Sequence, residues 1–154
     1  MAKGLTNVQE PKRKNQSLIT PKIDNKHPSL GMSMVKLTGA YSLDEFIKVD
    51  KSSPERNIRI ELLDLQKSLR RYDNILDFMK DHRSKHGEIS SRDNEVLKAE
   101  LKRIRLKFDK EFNDPIKHIH VKPKGAGSFV LFGFVNGYVF EVLLLDPNHE
   151  IAGS

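Results

Sequence analysis

Apolar residues are concentrated in the last forty positions of this chain, where short apolar runs alternate with turns that contain Gly, Pro and Asn. This pattern predicts three strands, at 116–122, 128–135 and 138–145. Between the last two strands, Asn136-Gly137 predicts a two-residue type I′ hairpin turn. The closing segment is therefore predicted to form an antiparallel meander.

The hairpin turn determines which residues share a face of the meander. It places Val135 opposite Tyr138 and Phe132 opposite Glu141, so that both faces are apolar. An antiparallel sheet with one face in water has a polar side, so the second face needs a cover. The cover is the N-terminal arm, a second copy of the chain, or a neutralising protein whose Lys or Arg pairs with Glu141. The expected partner-binding residues are Val130, Phe132, Phe134, Val139, Glu141 and Leu143.

The middle of the chain has helical periodicity. Ser42-Leu43-Asp44-Glu45 matches a capping box and predicts a helix over 43–49. Apolar residues spaced by four and three predict a helix over 54–80, and a further helix is predicted over 91–112. The two longer helices are predicted to pair as an antiparallel hairpin on one face of the sheet, and an inter-chain coiled coil is the alternative.

The N-terminal segment, residues 1–33, is predicted to be a basic flexible arm. It contains six Lys or Arg against two acidic residues and three prolines, without an apolar period. Residues 34–152 are predicted to form a single domain, in which 34–38 adds a short edge strand. The predicted fold class is α+β, with a helical hairpin packed on a C-terminal, three- to four-stranded antiparallel sheet.

Composition limits the classes of function. The net charge of +6 suits a polyanionic partner such as RNA, but for the basic arm a solvated segment is the favoured alternative. The chain has no cysteine, no apolar run of about 20 residues and no signal-peptide core, which predicts a cytoplasmic protein without a membrane partner. It has no Walker loop, dinucleotide fingerprint or zinc finger, so no cofactor is predicted.

Histidines are the candidate catalytic residues. His118 and His120 lie two apart on one predicted strand, so their rings project from the same face, and His149 follows the last strand. Imidazoles beside Lys122 and Lys124 provide proton transfer and phosphate stabilisation for RNA transesterification without a metal. The alternatives are that the pair forms the polar face of an edge strand and that Asp146 caps a turn.

Basic residues are the candidate nucleic-acid contacts. Acidic residues are interleaved with those on the helix near 98–105, which favours a solvated face there. The candidates are Lys12, Arg13, Lys14, Lys98, Lys102, Arg105, Lys122 and Lys124.

Two resemblances follow from these residues. Phe132-Gly133-Phe134, Phe140 and Asp146-Pro147-Asn148-His149 resemble the ending of small uncharacterised proteins of phages and mobile elements. The order of a strand, helices and a meander resembles the RelE/ParE superfamily of small toxins. That resemblance implies an RNA-binding or RNA-cleaving toxin of a toxin–antitoxin or phage-defence system, possessing metal-independent endoribonuclease activity. The sequence departs from these toxins because no arginine follows Arg105. The alternative is a non-enzymatic module that binds protein or nucleic acid.

Overall fold

The computed structural model describes residues 27–83, 93–104 and 116–151. It confirms the α+β class, with helices followed by a C-terminal sheet. The helices are α1 (Leu43–Ser52), α2 (Ile58–Ser68), α3 (Ile75–His82) and α4 (Glu95–Ile104). The strands are β1 (Ser29–Gly31), β2 (Lys117–Lys122), β3 (Ala126–Asn136) and β4 (Val139–Asp146). Short 3₁₀ turns lie at Pro54–Arg56, Leu69–Arg71 and Pro123–Gly125.

The four strands form one mixed sheet in the order β1-β4-β3-β2. β2, β3 and β4 form the predicted antiparallel meander, but β1 pairs with β4 in parallel. The prediction of a purely antiparallel sheet is therefore wrong at this edge. β1 also lies inside the segment that was predicted to be a flexible arm.

The predicted edge strand over 34–38 is instead a loop. Backbone hydrogen bonds extend the sheet beyond β1, because Lys36 N–H of this loop donates to Leu143 O and Leu145 N–H donates to the O of the following Tyr41. The side chain of Val35 is buried in the cluster on one face of the sheet, and Met34 packs on the other. The weak apolar alternation therefore reflects a loop that wraps the edge of β4.

The hairpin turn between β3 and β4 is Gly137-Tyr138, one residue later than predicted. Asn136 pairs with Val139, and Phe134 pairs with Glu141. Gly137 has a φ of 61° and Tyr138 is not among the residues with positive φ, as in a type II′ turn with glycine at its first central position. The partner on β4 of each β3 residue near the turn is therefore two positions later than predicted. Because side chains alternate between faces with a period of two, residues near the turn keep their predicted faces.

A β-bulge changes the faces further along β4. Phe132 pairs with Leu144 and Gly133 pairs with Val142, which leaves Leu143 as the extra residue. Leu143 and Leu144 consequently both pack on the second face, and Leu145 packs on the first. Gly133 lies at this bulge, where a Cβ would overlap the backbone carbonyl of Glu141. The aromatic-Gly-Phe sequence thus provides the glycine that the bulge requires.

Helices α1, α2 and α3 cover the first face. Phe46 of α1 packs edge-on against Phe129 of β3, with ring centroids 5.1 Å apart. The helix predicted over 54–80 is divided, because Asn57 is left-handed and Asn74 caps a new helix through Asp77 N–H. The fully buried members of this first-face cluster are Ile58, Leu65, Leu69, Phe78, Ile119, Phe129, Leu131, Phe140, Val142 and Leu145.

Helix α4 covers the second face, so the predicted helical hairpin is wrong. Leu97 of α4 is completely buried, and Leu101 and Ile104 pack beside it. The sheet residues of this second-face cluster include Ile116, Val130, Phe132, Leu143 and Leu144, and Ile151 joins it from beyond β4. Each of the two apolar faces is thus covered by helices of the same chain, and burial of apolar surface stabilises this arrangement. None of the described helices is long and apolar enough to cross a membrane.

We expect Leu97→Ala to lower the free energy of unfolding by about 3 kcal/mol, because it leaves a cavity between α4 and the sheet. Leu76→Ala on α3 is the matched control, since Leu76 is 71% exposed, and it should change stability by less than about 0.5 kcal/mol. Urea denaturation measures both values. Equal losses in the two variants would contradict the placement of α4 on the second face.

Candidate functional site

The candidate catalytic histidines meet at one end of the sheet. There β2 leads into the turn at Pro123–Gly125, and β4 ends at Asp146. The register places His120 beside Val130 and Val130 beside Asp146, so these three positions lie side by side across β2, β3 and β4. We call this region the histidine end of the sheet.

The three histidines predicted to be catalytic form a row at the histidine end. The ring centroids of His118 and His120 are 5.8 Å apart, and those of His120 and His149 are 5.7 Å apart. His118 also packs against Phe132, with centroids 5.7 Å apart. His118 and His120 are buried, with 5% and 8% exposure, and His149 is half-buried. The row therefore runs from the second-face cluster towards solvent.

The turn that carries His149 is held by Asp146. The two carboxylate oxygens of Asp146 accept the backbone N–H groups of Glu150 at 2.9 Å and Ile151 at 2.8 Å. Asp146 therefore caps this turn, as the alternative interpretation of the sequence predicted. His149 itself adopts the left-handed conformation, with a φ of 56°.

Arg56 is a residue at this end that sequence reasoning missed. Its guanidinium donates to Asn148 Oδ1 at 2.8 Å, to Ser128 O at 3.1 Å and to Pro147 O. It thereby joins the helical layer to the turn that carries His149. No local pattern indicates this role, because the partners lie far away in the sequence.

Lys122 is turned away from the histidine row. Its Nζ lies 3.1 Å from Glu61 of α2, on the first face. Glu61 also accepts the backbone N–H of Ser128 at 2.9 Å and the Ser128 hydroxyl. Burial acts to raise the pKa of Glu61, but the bonds from Ser128 and Lys122 outweigh it and hold this pKa below its ordinary value. Lys124 is exposed at the turn, with a left-handed φ of 63°.

His82 supports the histidine row from the opposite face. Its Nδ1 lies 2.7 Å from the backbone carbonyl oxygen of His120 and donates to it. The ring is buried against Phe78 and Tyr72, and its Nε2 has no hydrogen-bond partner within the described segments. Burial lowers the pKa of His82, although the bond to His120 and the charge of Asp81 oppose this shift.

The basic residues predicted on α4 face solvent on the second-face side. Lys98 pairs with Glu95 at 2.7 Å, and this bond lowers the pKa of Glu95. Lys102 is exposed. Lys12, Arg13, Lys14 and Arg105 lie outside the described residues.

The predicted partner-binding residues fall into two groups. Val130, Phe132 and Leu143 are buried by the chain itself, so the prediction that they await a partner is wrong. Phe134, Val139 and Glu141 are half-buried near the hairpin turn. Glu141 Oε2 is buried without a hydrogen-bond partner among the described residues, beside Gly31, where a Cβ would overlap it.

The described residues contain no group of His, Asp and Glu arranged to hold a metal ion. Comparison with known proteins gives no match: no family model, no curated protein and no solved structure is significantly similar to this chain. The functional interpretation therefore depends on the site itself.

We expect Arg56→Ala to lower the free energy of unfolding by about 2 kcal/mol, because it removes three charge-assisted hydrogen bonds. It should also shift the imidazole NMR signals of His149, since the turn loses its anchor. Arg59→Ala is the control, because the Arg59 side chain is 72% exposed and its ion pair with Asp50 is long, at 3.8 Å. Such exposed ion pairs contribute little to stability. Unchanged His149 signals in Arg56→Ala would contradict the anchoring role.

We expect the buried His82 to make stability pH-dependent. The unfolded chain binds a proton at this side chain below about pH 6.5, whereas the folded chain resists it. The free energy of unfolding should therefore fall as the pH drops from 7.5 to about 5.5. His82→Asn, which keeps a donor for His120, should reduce this fall, and His27→Asn at an exposed histidine should not. Urea denaturation at both pH values tests this, and an undiminished fall in His82→Asn contradicts it.

Proposed function

We propose that this protein acts on RNA as a RelE-like toxin or RNA-binding protein of a toxin–antitoxin or phage-defence system. The observation that supports this most is the row of His118, His120 and His149. His149 is distant in the sequence from His118 and His120, and the fold brings it beside them at one end of the sheet. The row lies beside the exposed turn of Lys124, in a chain with a net charge of +6.

The chemistry proposed for the row is metal-independent RNA cleavage. One imidazole removes the proton of a ribose 2′-hydroxyl, and the 2′-oxygen bonds to phosphorus as the P–O5′ bond breaks. A second imidazole gives its proton to the departing 5′-oxygen, so that protons balance. His149 is the half-buried member and meets the ribose, and His120 beside it is the second group. His118 packs behind His120 and is proposed to orient it.

Phosphate contacts in this proposal come from Lys124 and from the basic arm residues Lys12, Arg13 and Lys14. Counterion release by such residues gives affinity without sequence specificity. Lys122 provides a phosphate contact on the first face of the sheet, because its ion pair with Glu61 directs its side chain there.

A second candidate is a non-enzymatic interaction module. It is favoured by the hairpin turn, where Val135 is 37% and Tyr138 is 42% exposed beside the half-buried Val139. On this reading a partner protein covers Phe134 and Val139 and provides a Lys or Arg for Glu141. An unpaired buried carboxylate is costly, so such a cation stabilises the complex.

The catalytic proposal is tested with His149→Asn, which alters the most accessible histidine of the row. We expect purified wild-type protein to cleave a labelled single-stranded RNA in the presence of EDTA, and His149→Asn to be slower by about 10²- to 10⁴-fold. Induced expression in bacteria should arrest growth with the wild-type chain and not with His149→Asn. RNA that carries a 2′-deoxy group at the cleavage position should not be cleaved, because it lacks the attacking 2′-hydroxyl.

His27→Asn is the control for these assays, since His27 is an exposed histidine that bonds the carbonyl of Tyr72. It should behave as wild type. If wild type and His149→Asn are equally harmless and neither cleaves RNA, the catalytic proposal fails and the interaction module remains. If the wild type and both variants cleave RNA alike, the activity does not belong to the histidine row.

A further inference from the structure

A groove of about 250 Å³ lies between α2 and the end of β2. It is on the first face of the sheet, at the same end as the histidine row. Its lining combines an apolar floor with a charged rim. The lining residues are Glu61, Asp64, Leu65, Lys67, Ser68, Arg71, Val121, Lys122 and Pro123.

The floor of this groove is the surface of the first-face cluster. Leu65 and Val121 belong to the first-face cluster and are only 1% and 3% exposed. Pro123 begins the turn after β2 and closes the floor at the histidine end. A planar base or a sugar ring can pack on such a floor without rearranging it.

The rim carries more positive than negative charge. Lys67 and Arg71 are four residues apart, are exposed, and form no ion pair within the described ranges. Lys122 is held over the groove by Glu61, whose charge is shared with the two donors of Ser128. Asp64 is the opposing carboxylate on the rim. Because the Lys122 side chain is 58% exposed, its ammonium can contact a phosphate while it remains paired with Glu61.

The groove is close to the histidine row along β2. Lys122 follows His120 by two residues, a distance of about 7 Å along a strand. The turn at Pro123–Gly125 separates the two faces at this point, and Lys124 is exposed on it. A nucleic-acid strand that crosses this turn therefore passes from the groove to His149.

We propose that the groove binds one nucleotide of a single-stranded RNA, with its phosphate between Lys67, Arg71 and Lys122. This inference rests on the proposed action on RNA and identifies the path by which the strand reaches the histidine row. The single strand is required because the floor contacts a base or sugar that a duplex keeps stacked and paired.

The test is fluorescence anisotropy with a 12-nucleotide labelled single-stranded RNA, and with the same RNA as a duplex. We expect Lys67→Gln/Arg71→Gln to weaken single-strand binding about tenfold, because it removes two charged contacts to one phosphate. The negative slope of log affinity against log salt concentration should become less steep by about 1 to 2. Lys48→Gln/Lys51→Gln on α1 is the matched control, since it removes the same charge from two exposed lysines.

Each outcome decides the proposal. Equal losses of RNA affinity in the two double variants would mean that binding depends on the overall positive charge. That result would overturn the proposal that the groove is the binding site. An unchanged affinity of Lys67→Gln/Arg71→Gln would do the same. Duplex binding that is as tight and as sensitive to the groove variant would overturn the single-strand assignment. If wild type cleaves RNA through His149 while the groove variant binds normally, only the groove fails. If wild type neither binds nor cleaves RNA, both proposals fail together.

Discussion

The β3–β4 ladder is buried on both faces, and the placement of the other elements follows from covering it. Phe129, Leu131 and Phe140 need a cover on one side, and Val130, Phe132 and Leu143 need one on the other. The helices before the meander divide between these two tasks. Hydrophobic burial of this kind is the main favourable term in folding, and it outweighs any preference of α2 and α4 to pair with each other.

Polar contacts determine the positions of the turns, which hydrophobic burial alone does not determine. Hydrophobic contact is non-directional, so it cannot by itself set the position of a turn. Arg56, Asp146 and Glu61 provide directed hydrogen bonds at the histidine end, and each ties backbone groups of β3 or the final turn. His82 adds one such bond to β2. The histidine row therefore lies on a frame of side-chain-to-backbone bonds rather than on packing alone.

The sequence predicted the antiparallel meander of β2, β3 and β4 well, since it depends on local turns and alternation. The sequence-based prediction was wrong where a single extra residue or a helix break changes which side chains face the core. Leu143 bulges out and moves Leu144 and Leu145 to opposite faces from those predicted. The break before Asn74 turns α3 so that Ile75, Phe78 and His82 are buried while Leu76 is exposed. Arg56 was not predicted because its partners are remote in the sequence. His82 was not predicted because the helix was expected to end at residue 80, whereas α3 continues to His82.

The parallel pairing of β1 with β4 has a consequence for how the chain folds. Ser29 pairs with Val139, so the sheet joins segments from opposite ends of the described chain. Contacts of such long sequence separation must close a large loop before they gain energy, and they slow folding. The helices and the antiparallel meander can form first, from local contacts. Closure of the β1 edge is then expected to be the late step of folding, and until it occurs the edge of β4 is open to pairing with other chains.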